Sequence, residues 1–288
     1  MTLSATKDHR VAWPAGPVVR RIAHRTNGRR QGPVTRLMSP GDLGERLKPF
    51  VFLDMFDSGG APAASFGLHP HSGIATLTLV TQGAVNYEDT SGNSGVMAKG
   101  SVEWMVAGGG VWHGGGWAGG DAARGFQLWL ALPPELENGA AASTYLPPES
   151  IPHEGPARIL LGEYGGARSA LRAPSPINYL AVRLKAGERW RYIPPEGHTV
   201  AWVALGEGRL HVPGALEAGE LAVFEESGGA IDFHAAVDTE FVLGSAVRHP
   251  HDLALGYYSV HTSSAALDQG EQRIREIGDR LRKEGRLR

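Results

Sequence analysis

The chain has no cysteine among its 288 residues. No disulfide can therefore stabilise the fold, and no thiolate can bind a metal. A chain without cysteine fits the reducing cytoplasm, where disulfides are rare, and residues 1–16 show no apolar segment typical of a secretory signal. No apolar run reaches the length needed to cross a membrane. We therefore expect a soluble, cytoplasmic protein that does not enter a membrane.

The chain also lacks an excess of charge of either sign. It has 28 Lys and Arg against 30 Asp and Glu, a formal net charge of -2. This balance argues against non-specific binding to polyanions. Six arginines do cluster near the start, but a solvated strand edge is the favoured interpretation and a nucleic-acid patch the alternative: Arg20, Arg21, Arg25, Arg29, Arg30 and Arg36. We expect no direct nucleic-acid binding.

Several common catalytic motifs are absent. The sequence has no nucleophile elbow, no Walker loop, no dinucleotide-binding glycine loop and no zinc-protease helix. The glycine-rich run HGGGWAGG (113–120) is not followed by a helix start or by Lys or Ser, which argues against a phosphate-binding loop. Hydrolases and nucleotide-binding enzymes of these classes are thereby disfavoured.

Short strands separated by turns dominate the pattern. The 40 Gly and 19 Pro are spread along the chain as turn residues. IATLTLV (74–80) and SVEWMV (101–106) alternate in polarity, whereas GFQLWLAL (125–132) is apolar throughout, as expected for a strand covered on both faces. The order of turns and strands in residues 83–113 recurs in residues 206–234. The sequence thus predicts an all-β protein with two tandem antiparallel β-barrels.

The expected organisation has four parts. Residues 1–17 form a flexible tail, 18–140 a first barrel, 141–265 a second barrel and 266–288 a C-terminal helix. Ile274, Ile277 and Leu281 give that helix one narrow apolar stripe, which predicts packing on a barrel.

Three histidines form the strongest candidate site. His69 and His71 precede the strand IATLTLV, and side chains at positions i and i+2 of a strand share a face. His113 ends a neighbouring predicted strand and could complete a facial metal site, since imidazole binds iron, nickel, copper and zinc. A second His-Pro-His, at His249 and His251, has no third ligand near it in the sequence and is interpreted as structural. In the second barrel the positions equivalent to His69 and His71 fall near Tyr192 and Pro194, so no ligand pair is expected there.

The motifs around these histidines resemble a known family. HPHSG, TQGAVNYEDTSGNSG, KGSVEWMVAGGGVWH and RGFQLWLALP follow one another in the order found in the pirin family of bicupins. LKPFVFLDMFD and GYYSVHTSSAAL extend the resemblance from about Val18 to the final helix. The resemblance implies two cupin barrels of jelly-roll type, with a mononuclear metal in the first. The metal is often iron, with zinc, nickel or copper as alternatives. It further implies quercetin 2,3-dioxygenase activity or a regulatory role.

Two residues depart from the family pattern. A Glu that follows the second histidine by four residues is Ala75 in this chain, and the Glu that serves as the fourth ligand is Gly115. Three imidazoles without an anion leave a divalent ion uncompensated, so we expect weaker binding, and Gly115→Glu should tighten it by about 1–2 log units. Glu103 or Gln127 could substitute as a ligand. The more common arrangement, however, points Glu103 to solvent while Val102 and Trp104 pack. Trp117 is the candidate pocket wall.

The sequence leaves two functions open. The favoured one is a pirin-like protein that binds a divalent metal through His69, His71 and His113 weakly and without catalysis, in a regulatory role with a protein partner. The alternative is a metal-dependent oxygenase of the quercetin 2,3-dioxygenase type that acts on a small aromatic substrate. The departures at Ala75 and Gly115 favour the first of these two functions. A degenerate cupin without metal is a third option.

Overall fold

The fold is built almost wholly from antiparallel strands. A computed structural model describes residues 20–60, 65–118 and 122–287. Within these ranges the strands and one long C-terminal helix confirm the predicted fold class. The predicted N-terminal tail lies outside the described residues.

The elements follow the chain in two series. The first is β1 (Ile22–Thr26), β2 (Arg29–Gln31), β3 (Val34–Met38), α1 (Leu43–Leu47), β4 (Phe50–Asp57), β5 (Ser65–His71), β6 (Ile74–Gln82), β7 (Ala84–Asp89), β8 (Ser94–Ala98), β9 (Val102–Val106), β10 (Val111–Trp117), β11 (Arg124–Ala131) and β12 (Ala142–Leu146). The second, after a 3₁₀ turn at Pro148–Ser150, is β13 (His153–Glu154), β14 (Ala157–Leu161), β15 (Glu163–Tyr164), β16 (Ala167–Arg168), β17 (Ile177–Leu184), β18 (Arg189–Tyr192), β19 (Val200–Glu207), β20 (Arg209–Val212), β21 (Gly214–Glu217), β22 (Leu221–Phe224), β23 (Ile231–Ala235), β24 (Thr239–Ala246), β25 (Ala254–Leu255), β26 (Val260–His261) and α2 (Ser264–Lys283).

Each barrel pairs a seven-stranded sheet with a four-stranded one. In the first barrel the orders are β12-β9-β6-β11-β4-β3-β2 and β5-β10-β7-β8. In the second they are β1-β22-β19-β24-β17-β14-β13 and β18-β23-β20-β21. The two seven-stranded sheets contribute side chains to one shared apolar core, which includes Leu77 and Leu128 from the first and Trp202 from the second. The barrels therefore pack through their large sheets.

Strand alternation decides which side chains face that shared core. In β6, Ala75, Leu77 and Leu79 belong to the core between the barrels. The residues between them point the opposite way, because successive side chains of a strand lie on opposite faces. Thr78 accordingly lines a cavity inside the first barrel. The polar positions of an otherwise apolar strand thus mark the interior of this barrel.

The second barrel has a solid apolar interior. Trp190, Tyr192, Phe233 and Phe241 belong to a buried cluster that fills it. The rings of Trp190 and Phe233 stack with centroids 5.4 Å apart, and those of Phe233 and Phe241 lie 5.1 Å apart. Close-packed aromatic side chains leave no space for a ligand between the sheets. This packing explains why the second half of the repeat keeps the strands without the histidines.

The two barrels exchange segments. β1 pairs with β22 of the second barrel, and β12 pairs with β9 of the first. Near the end of the chain Ser259 forms a parallel bridge with Ser72 of the first barrel. Each of these pairings joins segments from the two sides of the predicted boundary between residues 140 and 141. The four-part division of the chain stays a prediction.

The C-terminal helix packs on the first barrel. α2 begins at Ser264, after Ser263, whose hydroxyl accepts a hydrogen bond from the Ala266 amide at 3.2 Å as an N-cap. Ile274, Ile277 and Leu281 are buried, as the stripe predicted. Trp112 Nε1 donates a hydrogen bond to the Ile274 carbonyl at 2.8 Å, which ties the helix to β10. The described residues include no helix with the length and hydrophobicity that crossing a membrane requires.

Acid should destabilise the metal-free protein through its buried histidines. Burial, together with the nearby His251 and Lys48, lowers the pKa of His249 to about 4, whereas an unfolded histidine titrates near 6.5. Between these values the unfolded chain binds more protons, so the free energy of unfolding should fall as pH drops from about 6.5 to 4. Denaturant unfolding at several pH values, with a chelator present, should show this.

The variant His249→Gln isolates that contribution. Its stability difference from the natural chain should be constant above about pH 7 and shrink toward pH 4, because the variant has no proton to take up at this position. Parallel stability curves at all pH values would contradict the assignment.

Candidate metal centre

Two neighbouring strands bring the three histidines together. His69 and His71 lie on β5 and His113 on β10, where His113 pairs directly with His69 and Val111 with His71. The ring centroids are 4.5 Å apart for His69 and His113, 5.0 Å for His71 and His113, and 5.1 Å for His69 and His71. One nitrogen from each ring lies within 4.8 Å of the others. The arrangement can hold a metal ion.

Acceptors behind the rings fix which nitrogen faces the centre. His69 Nδ1 donates a hydrogen bond to the Gly67 carbonyl at 3.0 Å, and His71 Nδ1 donates to the Tyr258 carbonyl at 3.1 Å. A carbonyl only accepts, so each Nδ1 carries the proton and each Nε2 keeps its lone pair. The Nε2 atoms of His71 and His113 are buried without a hydrogen-bond partner among the described residues. Metal-binding histidines are held by their second nitrogen in this way.

Burial in the site keeps His69 and His71 neutral. Burial, reinforced by the nearby His113, lowers the pKa of His69 to about 4. Burial likewise lowers the pKa of the fully buried His71 far below its usual value, with His113 and His69 adding to the effect. A neutral imidazole is the form that binds a metal. Both side chains are therefore ready to bind an ion at neutral pH without first losing a proton.

Glu103 is buried behind His113, so the interpretation that points it to solvent is wrong. Only 4% of its surface is exposed. Its carboxylate accepts hydrogen bonds from Thr78 Oγ1 at 2.8 Å and His113 Nδ1 at 3.5 Å. Tyr145 OH lies 3.3 Å from the same carboxylate and shares its one proton with Asp89 Oδ2 at 3.0 Å. Burial favours a raised pKa for Glu103, but the interaction with His113 and the hydrogen bonds from neighbouring hydroxyls together lower this pKa, so the group is anionic. Glu103 thus supplies a negative charge beside the histidines through the outer nitrogen of His113.

Glu103→Gln should weaken metal binding by about 10- to 100-fold, the usual effect of removing a group that holds a metal-binding histidine. The amide keeps the shape but removes the charge. Competition with a chromophoric chelator would measure the affinity. Tyr145→Phe, which removes a hydroxyl shared between this carboxylate and Asp89 but removes no charge, is the matched control and should have the smaller effect. Equal affinities for Glu103→Gln and the natural chain would contradict this role.

A large cavity opens beside the histidines. Its volume is about 840 Å³, within the roughly 300–1,000 Å³ of small-molecule sites. Gln127 and Trp117, both singled out in the sequence, line it, as do His69, His113 and Trp129. Trp117 packs against Phe66 at the mouth, with ring centroids 4.7 Å apart. Apolar and aromatic walls with a few polar groups suit a planar organic ligand.

The two departures from the family pattern have different consequences. Ala75 is fully buried in the core between the barrels, so a Glu there would not reach the histidines. The absence of Glu at this position therefore does not weaken metal binding. Gly115 lies on β10, two residues after His113, and a Cβ built there would lie 2.2 Å from the carbonyl oxygen of Asn86. No side chain fits at residue 115 unless β7 moves away.

The second His-Pro-His does not build a comparable site. The rings of His249 and His251 lie 5.3 Å apart. Within the described ranges, His69, His71 and His113 are the one group of three possible ligands that converge.

Several contributors to the site were missed from the sequence, among them Thr78 and the Tyr258 carbonyl. Thr78 could have been inferred, since it is a polar residue at an alternating position of an apolar strand. The Tyr258 carbonyl that orients His71 had no such signal, because it comes from a loop 187 residues away.

Known proteins share both the sequence and this fold. The Pirin family model matches residues 32–130. A Pseudomonas aeruginosa protein named "Putative quercetin 2,3-dioxygenase" is 30% identical over 73% of this chain and 79% of its own length. A pirin-like protein of Solanum lycopersicum is 32% identical over 66% of this chain and 67% of its own length.

Solved structures agree in architecture. The crystal structure of quercetin 2,3-dioxygenase from Acinetobacter baumannii superposes with a TM-score of 0.81 at 25% identity, over 88% of this chain and 96% of the other. The Escherichia coli pirin YhhW, solved in complex with nickel(II), shares the fold with a TM-score of 0.62 at 19% identity, over 76% of this chain and 94% of its own. Sequence and structure together confirm the resemblance seen in the motifs and the cupin fold that it implied: the chain belongs to the pirin family.

Proposed function

We propose that this protein is a metal-dependent oxygenase that binds one divalent ion through His69, His71 and His113 and acts on a planar aromatic enolate of the flavonol type. The observation that carries the proposal is the set of three Nε2 atoms, freed by acceptors behind the rings, beside a cavity of about 840 Å³. A divalent ion held by these three histidines would supply Lewis-acid chemistry, and iron or copper would add redox chemistry.

Glu103 supports the oxygenase over the non-catalytic protein that the sequence favoured. From the sequence, three imidazoles had no anion to balance a divalent ion. Glu103, buried and anionic, stands behind His113 and offsets that charge. Sites with three histidines and no directly bound carboxylate are known to bind zinc and to be catalytic. The names of the Pseudomonas and Acinetobacter relatives support a flavonol as the substrate class.

The donor set admits several metals. Imidazole nitrogens bind iron, nickel, copper and zinc. The family resemblance supports iron, and the E. coli pirin was solved with nickel. The metal is therefore an outcome of the experiment below and not a premise of the proposal. Cytoplasmic location stays a prediction.

A second candidate is a metal-binding regulatory protein without catalysis. The observation in its favour is Gly115, because the Asn86 carbonyl leaves no room there for the carboxylate of the family pattern. A proton acceptor beside the substrate would then have to come from elsewhere. In this case the metal would stabilise the first barrel, and a protein partner would bind to the surface of that barrel.

Two measurements separate the candidates. The protein is purified without chelators and analysed for metals, and oxygen uptake is then followed with quercetin. About one divalent ion per chain together with metal-dependent oxygen uptake supports the oxygenase. The same metal content without uptake, in protein loaded in turn with iron, nickel, copper and zinc, supports the regulatory candidate. Absence of any bound divalent ion overturns both.

A further inference from the structure

A single row of polar side chains crosses the floor of the cavity. Arg36 on β3 pairs with Asp54 on β4, Asp54 with Gln127 on β11, Gln127 with Thr78 on β6, and Thr78 with Glu103 on β9. Residues that pair directly across a sheet lie on the same face. All five line the cavity. The row begins behind His113 and runs away from the histidines across five strands.

The neighbouring rows are largely apolar. Two residues along β4 and β11 in one direction, Phe52 and Trp129 pair and stack with ring centroids 3.9 Å apart. In the other direction Phe56 pairs with Gly125. Trp129 and Phe52 also line the cavity, so the polar row has aromatic side chains along one side.

Hydrogen bonds fix the orientation of Gln127. Thr78 Oγ1 donates its one proton to Glu103 at 2.8 Å, so it can only accept from Gln127, whose Nε2 lies 3.5 Å away. The Gln127 side-chain oxygen is then turned away from Thr78, and it accepts no hydrogen bond among the described residues. The carboxylate of Glu103 thus sets, through Thr78, which end of the Gln127 amide is available to a ligand.

Asp54 provides a second acceptor next to Gln127. Its two oxygens are held by Arg36 Nε and Nη2, and the Arg36 guanidinium lies 3.9 Å from the centre of the Phe52 ring. A carboxylate has about four acceptor positions, so two are left after this pairing. Asp54 is buried to nine-tenths and fixed in place. Two acceptors therefore stand side by side on adjacent strands.

We propose that Gln127 and Asp54 are a recognition site for phenolic hydroxyl groups at the end of the substrate remote from the metal. The inference rests on the proposed function, because the histidines must hold the other end. Strand spacing of about 4.8 Å places Gln127 roughly 10 Å and Asp54 roughly 14 Å from Glu103 along the row. A three-ring planar aromatic spans this distance. The substrate class is then a polyhydroxylated flavonol and not an unsubstituted one.

The physical reason for selectivity is the cost of leaving acceptors without donors. A ring that covers Gln127 and Asp54 removes water from both oxygens. A hydroxyl restores the lost hydrogen bonds, whereas a plain C–H edge does not. We expect at least about a tenfold preference for the hydroxylated ligand.

The test compares two probes on zinc-loaded protein without oxygen. Quercetin carries hydroxyls on its remote rings, whereas 3-hydroxyflavone has the same 3-hydroxy-4-keto group and no other hydroxyl. Binding is followed by quenching of tryptophan fluorescence. Quercetin should bind at least about ten times more tightly. Gln127→Leu should abolish most of this preference, Gln127→Glu should retain it, and Thr78→Val should reduce it by releasing the amide.

Asn86→Leu is the matched control, since Asn86 lines the same cavity from the facing sheet. It should leave the ratio of the two affinities unchanged. Equal binding of both probes by the natural chain, or an unchanged ratio in Gln127→Leu, overturns the recognition site and leaves the oxygenase proposal intact. Failure of both probes to bind metal-loaded protein overturns the two together. Equal binding by the natural chain overturns the recognition site even if a variant does not fold.

Discussion

Replacing His113 by glutamine should reduce the metal content from about one ion per chain to less than about a tenth, because a neutral amide oxygen is a poor replacement for an imidazole nitrogen bound to zinc, nickel or iron. His113 is the residue to choose, since it lies closest to both other rings and is the one tied to Glu103. Its loss removes one ligand and also separates the remaining pair from the buried anion.

The chain contains its own control for this experiment. His251 belongs to the second His-Pro-His, whose rings do not meet a third ligand among the described residues. His251→Gln should leave the metal content and the affinity unchanged. Elemental analysis of both variants, together with circular dichroism to establish folding, measures the effect. Full metal content in His113→Gln would show that the ion binds elsewhere.

Introducing the family's glutamate at Gly115 should destabilise the protein and fail to tighten metal binding. The sequence alone led to the opposite expectation, a gain of about 1–2 log units on the usual ligand scale. In the structure a Cβ at residue 115 would lie 2.2 Å from the backbone oxygen of Asn86. Backbone cannot rotate away as a flexible side chain can, so β7 must shift, at a cost of about 2 kcal/mol or more.

Two further variants separate the clash from the charge. Gly115→Ala introduces the same Cβ without a carboxylate and should lose a similar amount of stability in denaturant unfolding. Gly228→Ala adds a Cβ where no heavy atom lies within 4 Å and should be nearly neutral. A stable Gly115→Glu protein with higher metal affinity would mean that β7 adapts easily and would restore the sequence-based expectation.

The strand pattern made much of the architecture predictable. Alternation in β6 and β9, the repeated order of turns and strands, and the stripe Ile274, Ile277 and Leu281 predicted the two barrels and the final helix. The position of His69 and His71 two residues apart on one strand predicted that their rings would share a face. These features depend on neighbours in the chain, so a linear pattern contains them.

Other features of the site depended on contacts between distant segments. Glu103 alternates with Val102 and Trp104, but alternation cannot say which face of a strand meets a barrel interior when both faces are covered. The shared core between the barrels covers the face that a single barrel would expose, which turns Glu103 inward toward Thr78 and Tyr145. The same core explains why Ala75 never approaches the histidines.

By itself the sequence determined the all-β fold, the family and the three histidines, because strand periodicity and a characteristic order of motifs are local properties. Only the tertiary structure decided that Glu103 holds His113, that the Tyr258 carbonyl orients His71, that the second barrel is filled with aromatic rings, and that residue 115 has room for glycine alone. Each of these depends on which atoms from remote parts of the chain meet, and close packing, not sequence pattern, sets those contacts.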